Sequence, residues 1–331
     1  MGSEITVKLT HAGAARDITR LCASIVNAGS YNNVARTLDL SLLSPRYTED
    51  QPRVSVALGD NVRAYVGGNV LFDGFIFSLQ RDSGSETINV GCADRGIYLK
   101  QNQAAYRFNG QTPERIAQQV CRDFSLEVGS LAVTGVPVRR NFPGVDLYRI
   151  IQTAYTLAAE KTGERYFLRF RGEKLDVIRR ERSGASLVLS PGANLLTATV
   201  SENAEQLVSQ VGIYNENGVR LRTRRNEDAI ALCGVMQRYL QTAKDKDVDA
   251  EAAAMLEDND IKRTITVEAL GDPGSLAGGN VIVKEPITGL YGLYWIDSDQ
   301  HSWKNGLYTM KLGLNLKKIM DKATAGKELG K

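Results

Sequence analysis

The chain has 331 residues, 43% of them hydrophobic and 24% charged, which allows a sizeable core and, by length, about two domains. A net charge of +3 is too small for a dedicated nucleic-acid binder, which carries a basic stripe. The four cysteines, Cys22, Cys92, Cys121 and Cys233, are widely spaced, with no CxxC or zinc spacing, and read as free thiols of a reducing compartment. No apolar leader and no run of the ~20 apolar residues of a membrane span is visible, so the expectation is a protein made in a cytoplasm with no membrane anchor.

In chain order, residues 4–10 alternate as a strand and 16–26 carry a mixed strand or short-helix signal. Residues 28–33 read as a turn leading into an alternating strand that ends near Leu40, and 44–53 as a loop. Residues 54–100 form a β-module: a strand into Gly59-Asp60, a short strand, a glycine-centred turn, a strand around Gly74 to Phe77, a polar tip at 82–85 and the alternating run 87–91. Residues 101–182 change character. Thr112 and Pro113 announce a helix whose apolar stripe is Ile116, Val120 and Phe124. A second helix begins at Asp146 and stops at Gly163, and 165–179 fold as a hairpin about Gly172 and Glu173.

Strands return over 187–222, with a hairpin at 215–218. Residues 227–258 are expected as helices, with Ile230, Cys233, Met236 and Leu240 on one face and a solvated loop at 242–247. A second β-module follows over 261–316. Its breaks are 271–274, Thr288-Gly289 and Asn305-Gly306, the last a hairpin pair that tolerates positive φ. Residues 317–331 read as a flexible basic tail. The two modules read as copies of one unit about 170 residues apart.

The search for chemistry yields little. The two histidines, His11 and His301, have no second histidine at metal spacing, and neither HExxH nor GxSxG occurs. Asp297, Asp299 and His301 allow a metal cluster or an acid–base group, but a turn held by Asp and His hydrogen bonds is the simpler reading. Glu160, Glu164 and Asp176 allow a glycosidase pair, against the simpler reading of solvated charges. Gly67-Gly68 and Gly278-Gly279 precede no helix and are not phosphate loops. Residues 220–225 are the most basic patch, either a solvated strand end or a contact for an acidic partner or passing DNA.

Three stretches, residues 29–38, 59–76 and 278–314, together resemble the baseplate hub proteins of contractile-tailed bacteriophages and phage-derived particles, specifically the PBSX-type prophage hub. The resemblance spans almost the whole chain and is carried by turns and strands, with Ala35, Arg36, Asp60, Phe72, Gly74, Gly278, Asp297, His301 and Leu312 as structural signature positions. It implies a mainly β protein with α+β parts. Two tail-tube-like antiparallel β-barrels, residues 1–100 and a discontinuous 183–222 plus 261–316, are joined by a small α+β domain at 101–182 and a helical insert at 223–260. It also implies a non-enzymatic homotrimer without cofactor or metal, made in the host bacterial cytoplasm and built into a tail. Its partners there would be a tail tube protein above, a spike protein below, neighbouring baseplate proteins, and a tape measure protein in the channel with DNA as transient cargo. The alternatives from other classes are a tail-associated cell-wall hydrolase and a peptidoglycan-binding module.

Overall fold

Alternating apolar residues and positive-φ turn pairs build most of the protein from antiparallel strands. The computed structural model describes residues 4–43, 54–181, 187–242 and 247–330; the expected loop at 44–53 and most of that at 242–247 lie outside them. The chain divides into two compact units, residues 1–198 with 266–331, and residues 199–265.

The first β-module contains β1 (Ile5–His11), β2 (Ala14–Asp17), β3 (Cys22–Ser30), β4 (Asn33–Leu43), β5 (Asn61–Val66), β6 (Asn69–Arg81) and β7 (Thr87–Asp94). Its inward positions, among them Val7, Leu38, Leu40, Val62, Ala64 and Ile76, form one core. Helix α1 (Gly96–Gln101) leads out of it.

The middle domain comprises β8 (Gln103–Gln111), α2 (Pro113–Asp123), β9 (Glu127–Leu131), β10 (Val138–Asp146), α3 (Leu147–Thr162), β11 (Tyr166–Arg171) and β12 (Lys174–Arg179). Both expected helices are present. The Asp146 carboxylate accepts from the Arg149 amide at 2.8 Å, and Gly163 closes α3 at φ 75°. Ile116 and Val120 of α2 and Ile150, Ile151 and Ala154 of α3 are buried in one core. Thr112 sits at the N-cap of α2 in an extended conformation, without a side-chain capping bond.

The second module opens with β13 (Val188–Leu189) and β14 (Leu195–Asn203). The smaller unit then holds β15 (Gln210–Tyr214), β16 (Arg220–Arg225), α4 (Glu227–Cys233), β17 (Gln237–Gln241) and α5 (Val248–Asp258). This corrects two expectations. Residues 210–225 do not join the second module; they pair with β17 in a separate sheet ordered β16-β15-β17. Met236 and Leu240 do not continue a helix, because Gly234 ends α4 at φ 81° and Leu240 instead packs from β17 with Val211, Ile213, Val248 and Ala252.

The second module resumes with β18 (Lys262–Leu270), β19 (Asn280–Glu285), β20 (Leu290–Lys304) and β21 (Leu307–Asn315). Asn305 and Gly306, at φ 52° and 76°, turn β20 into β21. Residues expected as a mobile tail dock instead on the middle domain. Met320 and Ala325 are buried, the Ala323 and Ala325 amides donate to Thr156 and Thr153, and β22 (Lys327–Glu328) pairs with β10.

The two modules repeat one topology. In each, six strands taken in chain order lie side by side as one-four-five-six-three-two: β1-β5-β6-β7-β4-β3 and β13-β19-β20-β21-β18-β14. They differ in sense at one ladder, since β13 pairs parallel to β19 and β1 antiparallel to β5. Detailed geometry repeats as well. Gly59 donates to the Ile76 carbonyl at 2.9 Å and Ile76 back to Asp60 at 3.0 Å; Gly278 donates to Ile296 and Ile296 to Gly279, each at 3.0 Å. The fifth strand bulges between Ile76 and Ser78 in one copy and Ile296 and Ser298 in the other. Equivalent residues are thus about 220 apart from the third strand on, but only about 170 apart on the second strand, because the smaller unit is inserted between the second and third strands of the second copy.

No closed barrel forms among the described residues. A barrel closes when its edge strand returns to its own sheet, but β3 pairs with residues 298–304 of β20 in the other module. The result is one continuous sheet of 13 strands running from β14 to β2.

Candidate functional site

The feature with the greatest concentration of buried polar chemistry is the joint where β3 of the first module meets β20 of the second. Alternation along β20 turns Asp299, His301 and Trp303 to the same face. Along β4 it turns Arg36 toward them. The Arg36 guanidinium grips Asp299 with two nitrogens: Nη1 donates to Oδ1 at 2.9 Å and Nη2 to Oδ2. Nη2 also donates to the Asn27 side-chain oxygen at 2.7 Å, and Asn27 donates to the Thr37 carbonyl. Gly29 leaves the room that the Arg36 guanidinium fills, since a Cβ there would clash with Nη1.

Asp299 is 2% exposed. Burial alone would raise its carboxyl, but the Arg36 charge, with hydrogen bonds from His301 and Arg36, outweighs it and holds the group at about 2. The Ala277 amide donates to its Oδ1 at 2.6 Å. His301 Nε2 faces two acceptors, the Ser275 carbonyl at 3.2 Å and Asp299 Oδ2 at 3.4 Å, so it carries the proton. In the neutral ring Nδ1 then accepts from the Tyr308 hydroxyl at 2.9 Å. Burial pushes the Tyr308 phenol up, aided by the Asp272 and Asp299 carboxylates, so it stays protonated. The Trp303 and Tyr308 rings stack at 4.2 Å and cover this network.

A second cluster lies beside it. Arg180, fully buried, donates to the Ile319 carbonyl at 2.6 Å and the Ile296 carbonyl at 3.2 Å, and lies over the Trp295 ring. Both its terminal nitrogens reach Asp297 Oδ1 at 3.4 Å. A third ties the first module to the middle domain: Arg63 and Arg95 share Asp73 and Glu173, at 2.7 to 3.2 Å.

The structure therefore brings Arg36 and His301 together through Asp299, with Leu312 opposite Asp299 on β21 and Ala35 next to Arg36. Asp297 lies two residues before Asp299 on β20, facing Arg180. Gly278, at φ 90°, packs on Phe167. Asp60, Phe72 and Gly74 stand apart, within the first module. Asp60 accepts from the Ala57 amide and from His11, and Gly74 lets β6 approach the Ala93 carbonyl and the Phe72 ring more closely than any Cβ permits. His301 lies within a continuous strand rather than a turn. Asp176 is buried rather than solvated, accepting from the Ser130 amide at 2.8 Å and pairing with Arg171 at 2.9 Å. Arg220–Arg225 is strand β16, with Arg222 paired to Asp249 at 2.7 Å. Asn27, Tyr308, Arg180 and Asp73 escaped sequence reading; a buried-polar role leaves no local pattern.

The joint is built to hold two strands together. Both oxygens of Asp299 are engaged by Arg36, and His301 is held at both nitrogens, so neither offers a free acid or base to a substrate. Among the described residues no group of three or more His, Cys, Asp or Glu is placed to hold a metal, and no helix is long and apolar enough to cross a membrane.

A family described as YQBQ-like matches residues 26–315. The chain belongs to the YQBQ-like family. It is homologous to the phage-like element PBSX protein XkdQ of Bacillus subtilis strain 168, with 26% identity over 281 residues that cover 82% of this chain and 86% of that protein. Among solved structures it resembles the 43 kDa tail protein of prophage MuSo2 from Shewanella oneidensis, at TM-score 0.69 and 16% identity over 94% of this chain and 97% of that one. It also resembles the E. coli c3393 protein at TM-score 0.53 and 12% identity, over 100% of this chain and 78% of that one. That protein is described as a type VI secretion component structurally similar to T4 bacteriophage tail proteins gp27 and gp5. The family thus has a homologue in the PBSX phage-like element, and the fold is shared with phage tail proteins; none of these relatives is named as an enzyme.

Proposed function

We propose that the chain is a structural hub of a contractile, phage-type tail, acting by geometry and without turnover. Three copies, each carrying two tube-like modules, make a ring of six related modules. One face of that ring matches a six-fold tail tube protein; the rest of the trimer stays three-fold and meets the spike. Neighbouring baseplate proteins hold its rim. Its channel passes the tape measure protein and, in a phage, DNA.

The observation that carries this reading is the repeated strand order of the two modules in one sheet. A chain with two equivalent modules lets three subunits present six similar surfaces, and closed cyclic symmetry then requires heterologous contacts around the ring. The tail-protein folds and the XkdQ homology support it. Native mass measurement of the full chain, alone and with its spike protein, tests it. A trimer in either condition is expected; a monomer that persists with the spike at high concentration would overturn it.

A further inference from the structure

Among the described residues two strand edges are left unpaired, and internal symmetry says what covers them. Within the chain, β3, the second strand of the first module, pairs antiparallel with residues 298–304 of β20, the fifth strand of the second. The reciprocal joint is missing. β14, the second strand of the second module, ends the sheet among the described residues, and β6 beyond Ile76 has no strand partner on the side of β5 among them.

The open edge of β6 is equivalent to the paired edge of β20 in the loop beside it, which a side chain at the same strand position meets in each copy. Arg81 donates to the Val56 carbonyl at 3.3 Å just as His301 meets the Ser275 carbonyl at 3.2 Å, so the same loop crosses both strands at the same place. In the second module that crossing leaves room for β3. Exposed apolar side chains sit along both open edges, Phe77 on β6 and Leu196 on β14.

From these equivalences we infer that β14 of one copy pairs antiparallel with the end of β6 in the next copy, and that three such joints close the ring. The inference rests on the trimer reading above and adds the edges and their register to it.

The register follows from the ladders. Gly91 lies opposite Ser78 and Asp39, and Asp39 lies opposite Val26. In the second module Gly313 lies opposite Ser298. The bond from the Gly271 amide to the Tyr308 carbonyl sets Thr266 opposite Gly313, and that from Leu270 to Asn194 sets Ala198 opposite Thr266. Ala198 is therefore the counterpart of Val26, and Val200 of Ala28. Ala28 lies opposite Gln300, whose counterpart is Gln80. Val200 of one copy is thus set opposite Gln80 of the next, and Ala198 opposite Asp82. The amides of Thr197, Thr199 and Ser201 point to the open edge, because Asn194 and every second residue after it face β18. Val200 and Gln80 then form a non-hydrogen-bonded pair, whose short Cα separation suits a disulfide.

The test is oxidation of the full chain carrying both Gln80→Cys and Val200→Cys with diamide, alone and with the spike, read on a non-reducing gel. A covalent trimer is expected from the double variant, and none from either single variant or from the shifted pair Gln80→Cys with Ala198→Cys. A non-covalent trimer that cross-links only through the shifted pair, or through neither, overturns this joint and leaves the hub reading standing; absence of any trimer with the spike present overturns both. Separately, Thr199→Pro removes one outward amide and leaves the β18 side intact. It is expected to lower trimer affinity at least tenfold with an unchanged circular dichroism spectrum, and a trimer of undiminished affinity overturns the joint.

Discussion

The β3–β20 joint and the open edges that mirror it share a backbone plan but carry different side chains. At the joint, Arg36 crosses β3 to reach a buried carboxylate, Asp299. The counterparts are Arg263, on the third strand of the second module, and Leu79 on β6. Arg263 lies near Glu202 at 3.6 Å, on the surface, and Leu79 has no charge to offer. A buried ion pair fixes register, and breaking it strands a charge, so it suits a contact made once during folding. An open edge with exposed Phe77 and half-buried Leu79 and Val200 suits a contact made between finished subunits. The duplicated module has been made permanent on one side and left available on the other.

The largest expected effect comes from breaking the permanent side. Asp299→Ala leaves the Arg36 guanidinium, 12% exposed, without its partner, along with the Ala277 amide. A loss of about 3–5 kcal/mol in unfolding free energy is expected from denaturant titration. Arg263→Ala, the counterpart on the open side, is expected to cost less than about 1 kcal/mol in the isolated chain, since its present pair is exposed. Equal losses would refute the contrast.

Two buried carboxylates sharpen it through pH. Asp299 is held at about 2, below its unfolded value, so its contribution is present above about pH 4 and is lost as pH falls through 2. Asp94 is nearly as buried and lacks a guanidinium grip. Burial raises it to about 7, against hydrogen bonds from the Gly96 and Arg36 amides. A raised carboxyl is neutral in both states at low pH and costs stability as pH climbs from about 4, where the unfolded chain ionises, to about 7. Asp94→Asn keeps an acceptor for the Gly96 amide. It should therefore be more stable than the parent by about 2–4 kcal/mol at pH 8, with the gain shrinking to nothing near pH 4. Thermal unfolding of both proteins across that range measures it; a gain independent of pH would mean the Asp94 carboxyl is ionised in the fold.

How far these features were legible depends on how local their causes are. Asp146, Gly163 and the Asn305-Gly306 pair act within a few residues of themselves, and the helix and hairpin they announce are present. The insertion in the second module was legible as a helical insert at 223–260, but its start was not, because β15 and β16 are strands like those of the module and sit in a sheet of their own. Met236 and Leu240 have helical spacing, and only the glycine at 234 distinguishes a short helix followed by a strand. The Arg36–Asp299 pair joins residues 263 apart. His301 and Asp299 stood out by type alone, and nothing in a strand pattern says that an arginine in another module will neutralise one of them. The repeat itself left a trace, Arg36-Thr37-Leu38 against Arg263-Thr264-Ile265. The duplication was read from its turns and strands, but not its offset, because the matching Gly59-Asp60-Asn61 and Gly278-Gly279-Asn280 turns follow connections of different length.

Moving the permanent chemistry to the open side is the next test in size. Leu79→Asp gives β6 the carboxylate that Asp299 supplies on β20. In the proposed ring it faces Arg263 of the adjoining copy, so trimer affinity should rise about tenfold at low salt, equivalent to ~1.4 kcal/mol. Leu79→Arg should lower it. Sedimentation at several ionic strengths reads both, and the gain should shrink as salt screens the pair. If Leu79→Asp weakens assembly as much as Leu79→Arg does, the two joints are not equivalent in their side-chain geometry.

The smallest effect probes the backbone equivalence alone. Gly91 and Gly313 face the bulged serines, and a Cβ on either would strike the Ser78 or Ser298 hydroxyl, while the serine Cβ atoms stand at 3.6 and 3.7 Å, ordinary contact. Gly91→Ala and Gly313→Ala should each destabilise by about 1 kcal/mol, the hydroxyl clash exceeding the gain from a stiffer unfolded chain. Combining each with Ser78→Ala or Ser298→Ala removes the oxygen, and the glycine substitution should then be neutral or stabilising by up to about 0.5 kcal/mol. Both modules should give the same sign in both backgrounds, because the bulge places serine and glycine identically in each. Opposite signs would show that the bulges only look alike, and the register carried from β20 to β6 would lose its footing.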